Sequence, residues 1–167
     1  CALELARAGA DVVINDRPGS PDLADAKRQI DAFGVRCLAI EADAHSRAGC
    51  EQLLAAALQF AQRVDILVSN PARSKRNAFL DYDPTDFDTV INGTLTAGFH
   101  MGQLVARHMV AVPREPRDAC QGKMVFISSV HAEMPYGRSV AYNAAKAGLN
   151  HMALTISAEL NKHRINV

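Results

Sequence analysis

Short apolar runs alternate with longer amphipathic ones along this chain of 167 residues. Residues 2–8 read as a helix closed by Gly9, and residues 11–15 (DVVIN) as a short apolar strand. Ser20-Pro21-Asp22 predicts a helix start: a capping serine, proline at the first helical position and an acid at the positive helix end. That helix ends near Phe33-Gly34, residues 35–40 form the next strand, and residues 46–63, rich in Ala and Leu, form a helix. Residues 64–68 (VDILV) read as an apolar strand. Residues 84–110 carry a long helical pattern interrupted by Gly93, Gly98 and Gly102. Residues 123–127 read as a strand, 139–161 as a helix and 165–167 as the opening of another strand. Short apolar strands separated by helices imply an α/β fold with a doubly wound parallel sheet covered on both faces. Residues 113–121 (PREPRDACQ) look irregular, like an insertion.

Composition narrows the class. A chain that is 49% hydrophobic can bury one sizeable core, so residues 1–167 are expected to make a single domain. The formal net charge is zero, which gives no electrostatic footprint for nucleic acid or an anionic membrane. No apolar run approaches a transmembrane length. Cys1, Cys37, Cys50 and Cys120 contain no C-x-x-C, predicting reduced, buried thiols in a cytoplasmic protein. The six histidines lack ligand spacing, so no metal site is expected.

The chemistry gathers near the end. Ser129 stands thirteen residues ahead of Tyr142, and Lys146 follows Tyr142 by four. Residues four apart on a helix share a face. An ammonium at roughly 5 Å, with an effective dielectric of about 20, favours a phenolate by about 3 kcal/mol. The pair is therefore an acid/base device, and Ser129 can hold a substrate oxygen beside it.

Residues 123–149, KMVFISSVHAEMPYGRSVAYNAAKAGL, resemble the active-site segment of the short-chain dehydrogenase/reductase family: a strand ending in Ser-Ser, a loop, then Tyr-x-x-x-Lys on a helix. Residues 64–72 (VDILVSNPA) resemble that family's strand ending in Asn-Asn-Ala-Gly, and residues 41–44 (EADA) its acidic turn beside the adenine. The resemblance covers essentially the whole chain. It implies a Rossmann-like fold and an NAD(P)-dependent oxidoreductase moving a hydride between nicotinamide and a secondary alcohol or ketone. In it Tyr142 is the general acid/base, Lys146 supports it and contacts the nicotinamide ribose, and Ser129 orients the substrate oxygen. Both ends of the chain are expected to be cut. The glycine-rich phosphate loop of such a fold falls just upstream of Cys1, and the substrate-covering loop lies past Val167.

The remaining nucleotide contacts are expected from Asp16, Arg17, Asp43, the Ala44 backbone and Asn70. Asp16 ends a strand, where a carboxylate accepts from ribose hydroxyls and repels a 2′-phosphate; this favours NAD, and Arg17 pulls toward NADP. Asp43 with Ala44 matches the family's adenine contact, and Asn70 is expected to brace the central strand. Two positions depart from the family. Ser69-Asn70-Pro71-Ala72 replaces Asn-Asn-Ala-Gly, with a lost backbone donor and a stiffer turn. Aligning VINGTLTAGF puts Thr94, and not Asn92, at the family's helix asparagine, where a water links the lysine to solvent; Thr94 is expected to face inward.

For the substrate, SSVHAEMP resembles the same loop in bacterial glucose 1-dehydrogenases of the family, with His131 placed to bond a polyol hydroxyl. The bulk pattern also resembles 3-oxoacyl-carrier-protein reductases. Both remain open, as do a catalytically silent nucleotide-sensing or partner-binding module and an epimerase or dehydratase of the same fold. The resemblance further implies a small-molecule substrate and a homo-oligomer, a tetramer or dimer, pairing through the long helix and the Tyr142 helix.

Overall fold

The alternating pattern folds as helices and parallel strands. The computed structural model describes residues 1–116 and 119–167, whose contacts group into two units, Cys1–Val64 and Asp65–Val167.

The first unit runs α1 (Ala2–Arg7), β1 (Val12–Asp16), α2 (Asp22–Asp31), β2 (Cys37–Glu41) and α3 (Arg47–Ala61). Strands β1 and β2 are parallel, in register from Val12 opposite Cys37 to Asp16 opposite Glu41. Ala6, Val12, Ile30 and Cys37 form its buried core, with Leu5, Ile14 and Val35 packed against it. Strand β1 starts one residue later than its pattern predicts. Asp11 stays outside because its carboxylate accepts from the Arg36 backbone N–H at 3.0 Å and from Nε and Nη2 at 2.9 and 2.6 Å. Asp16 joins the strand at its C-terminal end. Ser46 caps α3, accepting from Gly49 N at 3.0 Å. Ser20 does not cap α2. Pro21 takes the capping place, and the Ser20 hydroxyl turns back to donate to Asp16.

The second unit contains β3 (Ile66–Ser69), α4 (Pro84–Ile91), a π-helical segment (Asn92–Thr96), α5 (Ala97–Ala111), β4 (Gly122–Phe126), α6 (Val140–Leu160) and β5 (Ile165–Asn166). Its three strands are parallel in the order β3-β4-β5. Val90, Ala97, Met101, Val105 and Met109 bury one face of the long helical stretch, and Ala141, Ala145 and Leu149 one face of α6. The glycines do not interrupt the long helix as expected. It runs through a single π turn, and the missing side chains at Gly98 and Gly102 admit neighbours: a Cβ on Gly102 would lie 2.9 Å from the Phe126 ring. A π turn inserts an extra residue without breaking the backbone ladder.

Arg117 and Asp118, in the stretch expected to be an irregular insertion, lie outside the described residues. Gln121, at its end, is buried; its N–H donates to Arg164 O at 2.9 Å and its side-chain oxygen accepts from Arg114 N. All four cysteines are free, with Cys37 and Cys50 buried. Cys1 and Cys120 correct the expectation of buried thiols: they precede α1 and β4 and are exposed. Among the described residues no helix is long and apolar enough to cross a membrane.

Candidate active site

In the second unit the end of β4 and the start of α6 build one cluster. Ile127 N donates to Ser69 O at 2.9 Å, carrying the β3–β4 pairing one step past the strand, and the Ser128 hydroxyl donates to Asn150 on α6. Ser129 then leaves in extended conformation, and its Oγ accepts from His131 N at 3.2 Å. That bond uses a lone pair and leaves the hydroxyl hydrogen free to donate.

On α6, Tyr142 and Lys146 sit one turn apart, flanked by the fully buried Ala141 and Ala145. Lys146 is 1% exposed. Its Nζ donates to Ile127 O at 2.6 Å and lies 5.7 Å from the centroid of the Tyr142 ring. Loss of hydration pushes the ammonium's pKa below the ordinary lysine value. An ammonium has three donors, so two remain for other acceptors. The Tyr142 hydroxyl has no protein partner among the described residues.

His131 joins the same cluster. Its ring stacks on Tyr136, centroids 4.4 Å apart and planes within 10°, and stands nearly perpendicular to Tyr142 at 5.3 Å. Its Nδ1 meets Asn143 Oδ1 at 2.8 Å, while Asn143 Nδ2 donates to Tyr136 O at 3.0 Å. The structure thus brings Ser129, His131, Tyr142 and Lys146 together. Tyr136 and Asn143 escaped the sequence reading. A residue beside Tyr142 on a helix points to a different face, and only the loop's path returns His131 over it.

Thr94 faces inward, fully buried, and Asn92 is exposed. The Thr94 hydroxyl is occupied: it accepts from Arg73 N and donates to Arg73 O, both at 3.1 Å. The Arg73 side chain lies over Gly93, where an added Cβ would come within 2.5 Å of it. Thr94 therefore fastens the chain after β3 to the π turn, and its only donor is spent there. Thr94→Val keeps the shape and removes both bonds. It is expected to cost about 1 kcal/mol, or roughly 2–4 °C in melting temperature, and to raise proteolytic cutting within residues 71–78; unchanged melting and cutting would show that the hydroxyl holds nothing. Asn70 corrects an expectation: it is exposed, its side chain has no partner among the described residues, and the strand contact is made by the Ser69 carbonyl.

The first unit holds the other candidates at the matching ends of its two parallel strands. Asp16 O accepts from Ala42 N at 3.1 Å, next to Asp43. The Asp16 carboxylate accepts from the Ser20 hydroxyl and from Arg17 N at 2.7 Å, which holds its pKa below the usual carboxylate range. Each oxygen keeps lone pairs for further donors. The Arg17 guanidinium makes no hydrogen bond or salt bridge among the described residues, and its charge adds a smaller downward pull on the Asp16 carboxyl. Asp43 Oδ1 accepts from His45 N at 3.1 Å, and the Asp43 carbonyl is pressed against α3, where a Cβ on Gly49 would sit 2.1 Å from it. Glycine at position 49 thus sets how closely the Asp43-Ala44 turn lies on the helix.

A family model described as short chain dehydrogenase matches residues 1–167. The chain is 32% identical over 167 residues to the 2-dehydro-3-deoxy-D-gluconate 5-dehydrogenase of Escherichia coli (strain K12), covering 99% of this chain and 62% of that protein. It is 33% identical over 133 residues to the 3-oxoacyl-[acyl-carrier-protein] reductase MabA of Mycobacterium tuberculosis (strain ATCC 25618 / H37Rv), covering 80% and 49%. The crystal structure of acetoin dehydrogenase from Enterobacter cloacae superposes with a TM-score of 0.87 at 30% identity, covering 98% of this chain and 63% of that one. The chain therefore spans less than two thirds of the length of these relatives.

Proposed function

The chain belongs to the short chain dehydrogenase family, and from its Rossmann-like α/β fold and its cluster on α6 we propose that the full-length protein is an NAD(P)-dependent oxidoreductase. Its substrate is a secondary alcohol, or the matching ketone, of sugar or 3-oxoacyl type, as the names of its relatives indicate. The observation that carries the reading is the buried Lys146 ammonium one helical turn from Tyr142 and 5.7 Å from its ring.

Each unit by itself offers groups suited to part of a nicotinamide dinucleotide: in the second, Lys146 has two unused donors for ribose hydroxyls, and in the first, Asp16 offers an ionised acceptor at a strand end, where such ligands bind. When bound, the dinucleotide would supply the hydride acceptor for oxidation and the donor for reduction. The chain's own part is the proton and the positioning. The Ser129 hydroxyl donates to the substrate oxygen. Tyr142 takes the proton from that oxygen in oxidation and returns it in reduction, and the Lys146 charge stabilises the phenolate in between. Asp43 and Ala44 are assigned to the adenine, and Asn70 to the cofactor's flank.

Asp16 favours NAD over NADP, since a carboxylate opposes a 2′-phosphate. A homo-oligomer is part of the reading: an apolar groove lined by Leu95, Phe99, Gly148 and Met152 runs between the long helix and α6. The test is the full-length protein titrated with NADH and NADPH, then assayed at the nicotinamide band against sugars, sugar acids and 3-oxoacyl esters. NADH should bind about ten- to a hundred-fold tighter, and Asp16→Ala should narrow the gap, since one such repulsion is worth roughly 1–3 kcal/mol. Nucleotide binding without turnover of any substrate would instead support a silent nucleotide-sensing module.

A further inference from the structure

We infer that a polar cleft at the N-terminal ends of β4 and β5 receives small anionic disulfides, and that Cys120 is the thiol they modify. The cleft belongs to the second unit. The whole of β4 separates it from Ser129, so it serves neither nucleotide nor substrate.

Topology gathers the groups. Cys120 stands two residues before β4, and Asn161, Lys162 and Arg164 make the turn from α6 into β5, which carries Asn166. Strands β4 and β5 are parallel neighbours, with Gly122 opposite Ile165, so the two strand entries lie side by side. Backbone bonds fix them: Gln121 N donates to Arg164 O and Arg164 N to Asn161 O, both at 2.9 Å. Cys120, Asn161, Lys162, Arg164 and Asn166 line an open cleft of about 500 Å³.

The lining is cationic. Lys162 and Arg164 are exposed, and neither meets a carboxylate among the described residues, so both charges are open to a ligand. The chain has 18 Lys and Arg against 18 Asp and Glu, so two unpaired cations at one cleft are not the by-product of a general positive excess. Together with the amide donors of Asn161 and Asn166, they suit carboxylates.

Cys120 puts a nucleophile among these charges. It is exposed; its thiol donates to Gly122 O at 3.3 Å, and its sulfur accepts from Asn166 Nδ2 at 3.6 Å. The Asn166 donor can stay with the sulfur once the proton has left. A solvent-accessible thiol beside cations is the setting in which cysteines react. Cys37 and Cys50 do not compete, since burial raises the pKa of both. In the reaction Cys120 gives its proton to water, and the thiolate attacks one sulfur of the disulfide. The S–S bond breaks, and the other half leaves as a thiolate that takes up a proton. Cys120 is oxidised to a mixed disulfide, and half of the reagent is reduced to a thiol. A peptide disulfide bearing several carboxylates, such as glutathione disulfide, matches both the cations and the sulfur, and excess thiol reverses the step.

The test treats the full-length protein with dithiobis(nitrobenzoate), a dianionic disulfide, and with dithiodipyridine, a neutral one. Modification of Cys120 is followed by peptide mass spectrometry, which separates it from other cysteines. Rates are divided by those of a small uncharged thiol, and the ratio between the two reagents cancels the ionisation of Cys120 itself. Cys120 should favour the dianion about tenfold at low salt, and the preference should fall several-fold at high salt as the charges are screened. Lys162→Gln combined with Arg164→Asn should abolish the preference; asparagine tolerates the left-handed backbone at position 164, where φ is 56°. Glutathione disulfide should add one glutathione to Cys120, more slowly in the double variant. An unlabelled Cys120, equal normalised rates with the two reagents, or a preference that salt leaves unchanged would each overturn the proposal. The salt dependence is read on the wild type, so the outcome does not hang on the folding of the variant.

Discussion

Tyr142→Phe is expected to lower turnover about 10²–10⁴-fold while nucleotide affinity changes less than about twofold. Only one oxygen is removed. The ring keeps its perpendicular contact with His131 and its place one turn before Lys146, so the geometry of the cluster survives. The Tyr142 hydroxyl has no hydrogen bond to the protein among the described residues, so its loss strands no donor or acceptor and stability should hold within about 0.5 kcal/mol. Turnover and binding therefore separate cleanly. Activity near the wild-type level would mean that another group moves the proton.

Lys146→Met is expected to damage more and destabilise less than its burial implies. The substitution removes the charge proposed to support the phenolate and the donors proposed for the ribose. Turnover should fall at least about 10²-fold, and nucleotide affinity about tenfold. Stability is expected to move the other way. A buried ammonium has lost its hydration, and a methionine of similar length fills the same space without that cost; such exchanges are neutral or stabilising, here by up to about 2 kcal/mol after Ile127 O loses its partner. The sign with pH follows from the lowered pKa. Between the folded value and the ordinary lysine value of 10.5, the unfolded chain binds more protons than the folded one, so stability rises with pH in that window. The methionine variant should lose that slope. Thermal melts of both proteins across neutral to alkaline pH check the point, and a methionine variant that melts far lower throughout would contradict it.

Element order was legible because the apolar runs are short and their separators long. Boundaries slipped by a residue or two where a side chain found a better partner, as Asp11 did in Arg36 and Ser20 in Asp16. The long helix was harder: glycine reads as a break in a sequence, yet here it marks close approach of Phe126, Leu149 and Arg73. The Ser129–Tyr142–Lys146 spacing was legible since helical periodicity alone puts the last two on one face. The Asn143–His131–Tyr136 contacts were not, because they depend on how the chain turns between β4 and α6. The inward face of Thr94 could be read from helix register, but its bonds to Arg73 could not, since they cross from one element to another.

The central claim is that Tyr142, held beside a buried ammonium, moves the proton that accompanies hydride transfer. It is tested most directly by a single-turnover experiment on the full-length protein preloaded with oxidised nucleotide and mixed with a polyol substrate. The wild type should show a burst of absorbance at the nicotinamide band, with one proton released to a pH indicator for each nucleotide reduced. Tyr142→Phe, binding nucleotide equally, should show neither within the same time. A burst of undiminished rate in the phenylalanine variant would contradict the account.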